Sequence, residues 1–247
     1  PRQASPHEGN GGVSVRDSEN PLGSGAAPVA AGARIVAFFD VDGTLVEGQA
    51  IWKGIWAYHF AARKRRARLV SFFLQNLARW ALHKVGLTSR DQFVAGWGER
   101  LAAVFAGLAP AEAREVFEWV WENSLRPSLR QDVVRVLSEH RRAGHAVILV
   151  SATLEGLVEV VAERLGADHA LGSRLELQGE RYSGRMLRPL CFGPHKATRA
   201  REVLAALGAV DLAASYSYAD SGHDAPLLEL VGHPTAVYPD PALLALA

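Results

Sequence analysis

The sequence predicts an α/β protein, a parallel sheet with helices on both faces, interrupted after its first strand by an all-helical insert. Three observations carry this expectation. Short apolar runs at residues 35–39, 146–150 and 214–219 end abruptly in acids or a hydroxyl, as buried strands do where they meet functional loops. From residue 127 onward strand and helix signals alternate, as a doubly wound sheet requires. Between residues 49 and 125 the periodicity is helical throughout.

The totals set the bounds. At 247 residues and 49% hydrophobic content, the chain can build one large domain or a domain with an inserted module. Lys and Arg number 27 against 26 Asp and Glu, so the total charge makes no case for nucleic acid as a partner. Cys191 is the single cysteine, which excludes an intramolecular disulfide and suits a reducing compartment. The first 33 residues are rich in Gly, Ala, Pro, Ser and Asn with no apolar period, and read as a disordered tail. No secretory apolar core is found there, so the expected location is cytoplasmic, at most peripheral to a membrane.

The first strand, Ile35 to Phe39, runs into Asp40-Val41-Asp42-Gly43-Thr44-Leu45. Two acids at the carboxyl end of a buried strand lie on the edge where open α/β sheets bind ligands. A hard cation such as Mg2+ would give them a reason to be held together. Gly43 would let the backbone turn and aim amides at an anion. An ordinary Asp-Gly turn after a strand is the other reading of the same tetrapeptide.

The insert comes next. From Gly48 to Arg90 there is no acidic residue, yet Lys53, Arg63, Lys64, Arg65, Arg66, Arg68, Arg79, Lys84 and Arg90 are present among Trp, Phe and Ile. The spacing predicts helices near 49–62, 65–84, 88–106 and 110–123. Three uses of the basic helices stay open: a solvated cationic face, attraction of anionic substrates, and contact with an anionic membrane surface through residues 51–84. The apolar stretch at 69–82 is too short to span a bilayer and carries Arg79.

In the second half, Pro127 predicts a helix start, with the helix ending near Gly144. A strand over 146–150 follows. Ser151 comes directly after it, and Thr153 is expected to open the next helix. Ser151 is thus either a helix cap or a phosphate ligand. Residues 171–185 read as a hairpin turning at Gln178-Gly179-Glu180. Lys196 falls in the first turn of a helix, where the macrodipole disfavours a cation unless a negative partner is near; a plain exposed lysine is the alternative. His195 reads as surface. The strand at 214–219 ends in Asp220-Ser221-Gly222-His223-Asp224, a second pair of acids after a strand, and a last short strand is expected at 234–238.

Four segments together resemble the haloacid dehalogenase (HAD) superfamily, and within it the phosphoserine phosphatase-like group of subfamily IB: Asp40-Val41-Asp42-Gly43-Thr44-Leu45, Ser151, Lys196 and the Asp220/Asp224 pair. The resemblance spans about residues 34–247. It implies a Rossmann-like core over 34–48 and 126–247, with 49–125 as an inserted α-helical cap. It further implies a Mg2+-dependent phosphatase, with Asp40 as nucleophile and Asp42 as general acid and base. Gly43, Ser151, Ala152 and Lys196 are implied as phosphate ligands. Asp40, the backbone carbonyl of Asp42, Asp220 and Asp224 are implied as metal ligands, the last directly or through water. The sequence departs from the phosphoserine phosphatase pattern at three places: Gln49 replaces a glutamate, Ser151-Ala152-Thr153 replaces Ser-Gly-Gly, and His223 replaces an asparagine. The expected substrate is a small phosphorylated metabolite such as phosphoserine. Lipid or amphiphilic phosphates are the alternative. A non-catalytic phosphate- or lipid-binding module is a third reading, and would show itself by a missing acid; all are present.

Overall fold

β1 (Val36–Phe39), β2 (Ala146–Leu154) and β3 (His169–Ser173) are followed by a hairpin, β4 (Leu175–Gln178) and β5 (Arg181–Met186), and then by β6 (Tyr216–Ala219) and β7 (His233–Ala236). The computed structural model describes residues 32–48, 50–61, 70, 74 and 100–246. Five strands form one parallel sheet in the order β3-β2-β1-β6-β7, and the hairpin stands apart as an antiparallel pair.

Each residue of β1 is buried, and the two-residue period of the strand divides them between two cores. Ala37 and Phe39, with Val147 and Leu149 of β2, join the apolar cluster that runs into the insert. Val36 and Phe38, with Ile148 and Val150, join a second cluster on the opposite face. A strand that must be apolar on both sides reads as a continuous hydrophobic run, which is why 35–39 and 146–150 were so legible.

The insert leaves the core after β1 through α1 (Ala50–Ala61), and residues 100–105 are helical before α2 (Pro110–Val120). Gly54 lets α1 lie close to α2: a Cβ there would meet Ser124 at 2.7 Å and Val120 at 2.8 Å. The predicted helix over 110–123 ends early, because residues Trp121–Leu125 widen into a π turn and Arg126–Ser128 tighten into a 3₁₀ turn. Nearly all of the expected 65–84 helix, and 88–106 up to residue 99, lie outside the described residues. Of the former, Val70 and Leu74 are helical and exposed. The outgoing and returning chains bond to each other: Glu47 N–H donates to the Ser128 carbonyl and Arg130 N–H to the Leu45 carbonyl, both at 2.9 Å. The insert therefore begins and ends beside the turn that carries Asp40 and Asp42.

On the same face lie α3 (Gln131–Arg142) and α4 (Glu155–Leu165); on the other lie α5 (Pro194–Leu207) and the short α6 (Ala225–Leu228), with α7 (Pro241–Leu244) closing the described chain. Pro127 does not start α3, which begins four residues later, because the 3₁₀ turn occupies that stretch. β2 is longer than expected and runs to Leu154; its ladder with β3 breaks between Val150 and Leu154, so Ser151, Ala152 and Thr153 bulge out of register. Thr153 accordingly does not open α4. The hairpin turns at Gly179 (φ +62°) as expected, but Leu171 belongs to β3 of the main sheet. The last strand is shifted to His233–Ala236, leaving Tyr238 in a left-handed turn at φ +48°. Among the described residues, no helix is long and apolar enough to cross a membrane.

Candidate active site

The sheet order reverses at β1. The chain runs from β1 to β2 and β3 on one side, then returns to place β6 and β7 on the other. Ligands bind at such a switch point, outside the carboxyl ends of the strands. Asp40 follows β1 there, and its N–H donates to the Tyr218 carbonyl of β6 at 2.9 Å. Asp220 follows β6 directly. Two adjacent parallel strands thus deliver their terminal acids to one place.

The turn after Asp40 is tied by Leu45 and Val46 N–H groups to the Val41 carbonyl and by Gly43 N–H to the Val46 carbonyl, each at 3.0 Å. Gly43 is required twice over. Its φ is +100°, and a Cβ at this position would fall 2.2 Å from Asp220 Oδ2. Buried Thr44 donates its hydroxyl to Asp220 Oδ1 at 3.4 Å. Asp42 is half-buried in the same turn.

Lys196, in the first turn of α5, reaches back to the edge of the sheet. Its Nζ lies 2.5 Å from Asp40 Oδ1 and 2.6 Å from Asp224 Oδ1, and all three side chains are 4% exposed. The negative partner that would justify a lysine at a helix start is present twice. A 3₁₀ turn over Gly222–Asp224 carries Asp224 inward.

Oxygen atoms of Asp40, Asp220 and Asp224 lie within 4.8 Å of one another. Ionised, these three acids against one ammonium leave two negative charges in a buried site. Burial accordingly pushes the Asp40 carboxyl up to about 8, against the pull of Lys196 and with Asp224 and Asp220 adding to the rise. Asp220 is raised by burial and by Asp224. Burial works against the Lys196 ammonium, yet Asp224 and Asp40 hold it above the usual lysine range. The cluster is short of positive charge. Asp40 Oδ2, moreover, is buried without a hydrogen-bond partner. An all-oxygen donor set with a net negative charge and a bare carboxylate oxygen fits a hard divalent cation such as Mg2+.

Ser151 sits at the same edge, two residues beyond Leu149, which pairs with Phe39. It does not cap α4; the residue at that position is Leu154, with no side-chain cap. Its hydroxyl instead accepts the N–H of Thr153 at 3.2 Å inside the bulge. Ala152 offers its carbonyl to Ser173 Oγ at 2.8 Å, and Ser173 Oγ accepts Cys191 N–H at 3.1 Å. Gln49 lies outside the described residues, and Glu47 is exposed.

Three bracing residues were missed in the sequence. Asp240 accepts the Gly222 N–H at 3.1 Å and the Ser221 hydroxyl at 3.1 Å, pinning the loop between Asp220 and Asp224 while capping α7. An Asp ahead of Pro-Ala-Leu-Leu is a helix-cap signal, so half of this role was readable. Ser173 and Glu155 brace the bulge of β2; Glu155 accepts the Gly172 N–H at 3.2 Å and pairs with Arg199 at 2.8 Å. Neither has a local sequence signature.

The family profile of haloacid dehalogenase-like hydrolases matches residues 37–229. Phosphoserine phosphatase SerB1 of Mycobacterium tuberculosis is 32% identical over 214 residues, covering 85% of this chain and 67% of that one. A crystal structure of a Bordetella pertussis protein of unknown function superimposes with a TM-score of 0.71 at 29% identity, over 87% of this chain and 95% of that one. A substrate-bound phosphoserine phosphatase shares the fold with a TM-score of 0.58 at 18% identity, over 87% and 90% of the two chains. The chain belongs to the haloacid dehalogenase-like hydrolases and is an enzyme of their phosphatase type.

Proposed function

We propose that the enzyme hydrolyses phosphomonoesters through an aspartyl-phosphate, with Mg2+ as cofactor. The observation that supports this best is the state of Asp40: Lys196 holds one carboxylate oxygen at 2.5 Å, and the other is buried with no hydrogen bond. A carboxylate fixed in this way is oriented for attack. In this reading an Asp40 oxygen bonds to phosphorus as the bond to the leaving oxygen breaks, and Asp42 gives that oxygen its proton. Water then attacks the same phosphorus and yields a proton to Asp42. The bond from phosphorus to Asp40 breaks and inorganic phosphate leaves. Lys196 and the Ser151 hydroxyl would hold nonbridging oxygens, with Gly43 and Ala152 contributing backbone groups. Asp40, the Asp42 carbonyl, Asp220 and Asp224, the last directly or through water, would hold the ion. When bound, it offsets the repulsion between phosphate and carboxylate.

For the substrate we favour a small phosphorylated metabolite such as phosphoserine, supported by the likeness to the mycobacterial phosphoserine phosphatase. Residues 34–48 and 126–247 would form the core, and 49–125 the cap that chooses among substrates. A second reading, lipid or amphiphilic phosphates at an anionic membrane surface, is favoured by Phe60, Val70 and Leu74, which are 49%, 53% and 65% exposed beside the basic run of 63–68.

The test is phosphate release from phosphoserine, an aryl phosphate and lysophosphatidate, with Mg2+ or chelator, for wild type and Asp40→Asn. The expected result is Mg2+-dependent turnover that falls by about three orders of magnitude or more in the variant. The ranking of esters then separates the two substrate readings. Turnover indifferent to chelator and to the substitution would sink the mechanism.

A further inference from the structure

We propose that Tyr238 is a positioning residue for the carboxylate cluster: clasped by Arg130 and Asp132, it fixes the segment whose Asp240 braces Asp220 and the loop leading to Asp224. In its cation arm this inference rests on the Mg2+ site proposed above. Residues 237–240 form a short staple beside the reaction centre. At one end Val237 N–H donates to the Ala219 carbonyl at 2.8 Å, and at the other Asp240 N–H donates to the Asp220 carbonyl at 2.7 Å. The Asp240 carboxylate holds the Gly222 N–H and the Ser221 hydroxyl, each at 3.1 Å. The place of the Asp220–Asp224 loop therefore depends on the path of this staple. Within it Tyr238 has φ +48°, the one positive value outside glycine among the described residues. A bulky side chain is strained there and holds the conformation only where its surroundings fix it.

Those surroundings come from the chain returning from the insert. The guanidinium carbon of Arg130 lies 3.8 Å over the centre of the Tyr238 ring. The Tyr238 hydroxyl donates to Oδ2 of Asp132, in the first turn of α3, at 2.7 Å. Because Tyr238 is 55% exposed, burial is not what keeps it in this turn; the cation over its face and the carboxylate at its tip are. Arg130 is itself anchored, its N–H donating to the Leu45 carbonyl in the turn that follows Asp40. A continuous path of contacts thus runs from the turn after β1, through the clasp, to the loop after β6. Without the clasp, residue 238 is free to leave the left-handed region and Asp240 shifts with it.

The test compares wild type, Tyr238→Leu and Tyr238→Phe, the last keeping the ring under Arg130 and losing only the bond to Asp132. Amide hydrogen exchange is followed on chelator-treated protein, and Mg2+ binding is measured by calorimetry. In Tyr238→Leu, exchange at Gly222 and Leu243, both held by Asp240, is expected to quicken by about tenfold. Val147, near the start of β2 and held by Asp168, is expected to keep its rate. Mg2+ should bind Tyr238→Leu about fivefold more weakly, and Tyr238→Phe should recover part of both losses. A merely structural side chain would quicken exchange throughout and leave the Mg2+ affinity of the folded protein alone. Unchanged exchange at Gly222 and Leu243, acceleration spread over the whole chain, or an unchanged affinity in Tyr238→Leu for an ion that wild type binds would each overturn the inference. A wild type that binds no Mg2+ would count against the proposed cofactor instead, and local acceleration at Gly222 and Leu243 would still sustain the clasp.

Discussion

Two charge clusters in this molecule are built from similar parts and behave in opposite ways. On the surface, α2 and α4 are laced together by Arg114, Glu118, Glu163 and Arg164, with N–O separations of 2.5 to 2.7 Å and side chains 31% to 56% exposed. Two cations meet two anions and the sum is zero. At the sheet edge, Lys196 meets Asp40, Asp220 and Asp224 in a buried site, and the sum is negative. A screened, balanced network closes on itself and contributes little. A buried, unbalanced one is costly unless something completes it. The difference teaches where to look for function: the cluster that a designer of stability would not build is the one proposed above to handle a charged ligand.

The sharpest way to break this contrast is to remove the lysine. Lys196→Met leaves three acids without their ammonium, and breaking a buried pair in this way is expected to destabilise the cation-free protein by about 3 kcal/mol or more. Hydrolysis should fall by about two orders of magnitude or more, since in the proposed reaction the phosphate also loses its cation. Urea unfolding with chelator present checks the first part. A loss below about 1 kcal/mol would mean that the sheet-edge pair is no more consequential than a surface one.

The second test adds the missing charge instead. Mg2+ binds the folded site and not the unfolded chain, so the thermal midpoint of the wild type should rise with its concentration. Asp220→Asn should shrink that rise, because it removes one oxygen donor and one negative charge. Glu118→Gln should leave it unchanged. Equal Mg2+ responses in all three proteins would place the ion elsewhere.

The same contrast explains what the sequence could and could not disclose. Asp40 and Asp42 were legible because β1 is apolar on both faces and stops at an acid; Asp220 and Asp224 were legible because β6, where half-buried Tyr216 and Tyr218 alternate with buried Ser217 and Ala219, also stops at an acid. Lys196 was legible as an anomaly, a cation at a helix start. Its contact with Asp40 spans 156 residues and depends on sheet order, which no local pattern encodes. The Arg114–Glu118 pair follows from helical spacing, but its bonds to Glu163 and Arg164 need α2 and α4 to be packed. Helix α4 was read as starting at Thr153 and β2 as stopping at Val150, because a bulge held by Ser173 looks locally like a helix cap. Pro127 misled in the opposite direction: a proline suited to a helix start also suits the 3₁₀ turn that precedes it.

The smallest effect tests the surface half of the comparison, and its sign follows from Glu118. Hydrogen bonds from Arg164 and then Arg114 hold that carboxyl below its usual range. A depressed folded value means that the unfolded chain takes up protons first as the pH falls. The contribution of the network is therefore complete above about 4.5, the ordinary glutamate value, and drains away as the pH drops through the lower folded value. Because the side chains are about a third or more exposed, the contribution is expected to stay below about 1 kcal/mol. Glu118→Gln should thus differ slightly from wild type in denaturant midpoint near pH 7, converge with it near pH 3, and differ less in about 1 M salt, where screening is strong. A difference that persists in acid and in salt would place the role of Glu118 in packing α2 against α4 rather than in charge, and the balanced network would then lose its standing as the electrostatic counterpart of the sheet-edge cluster.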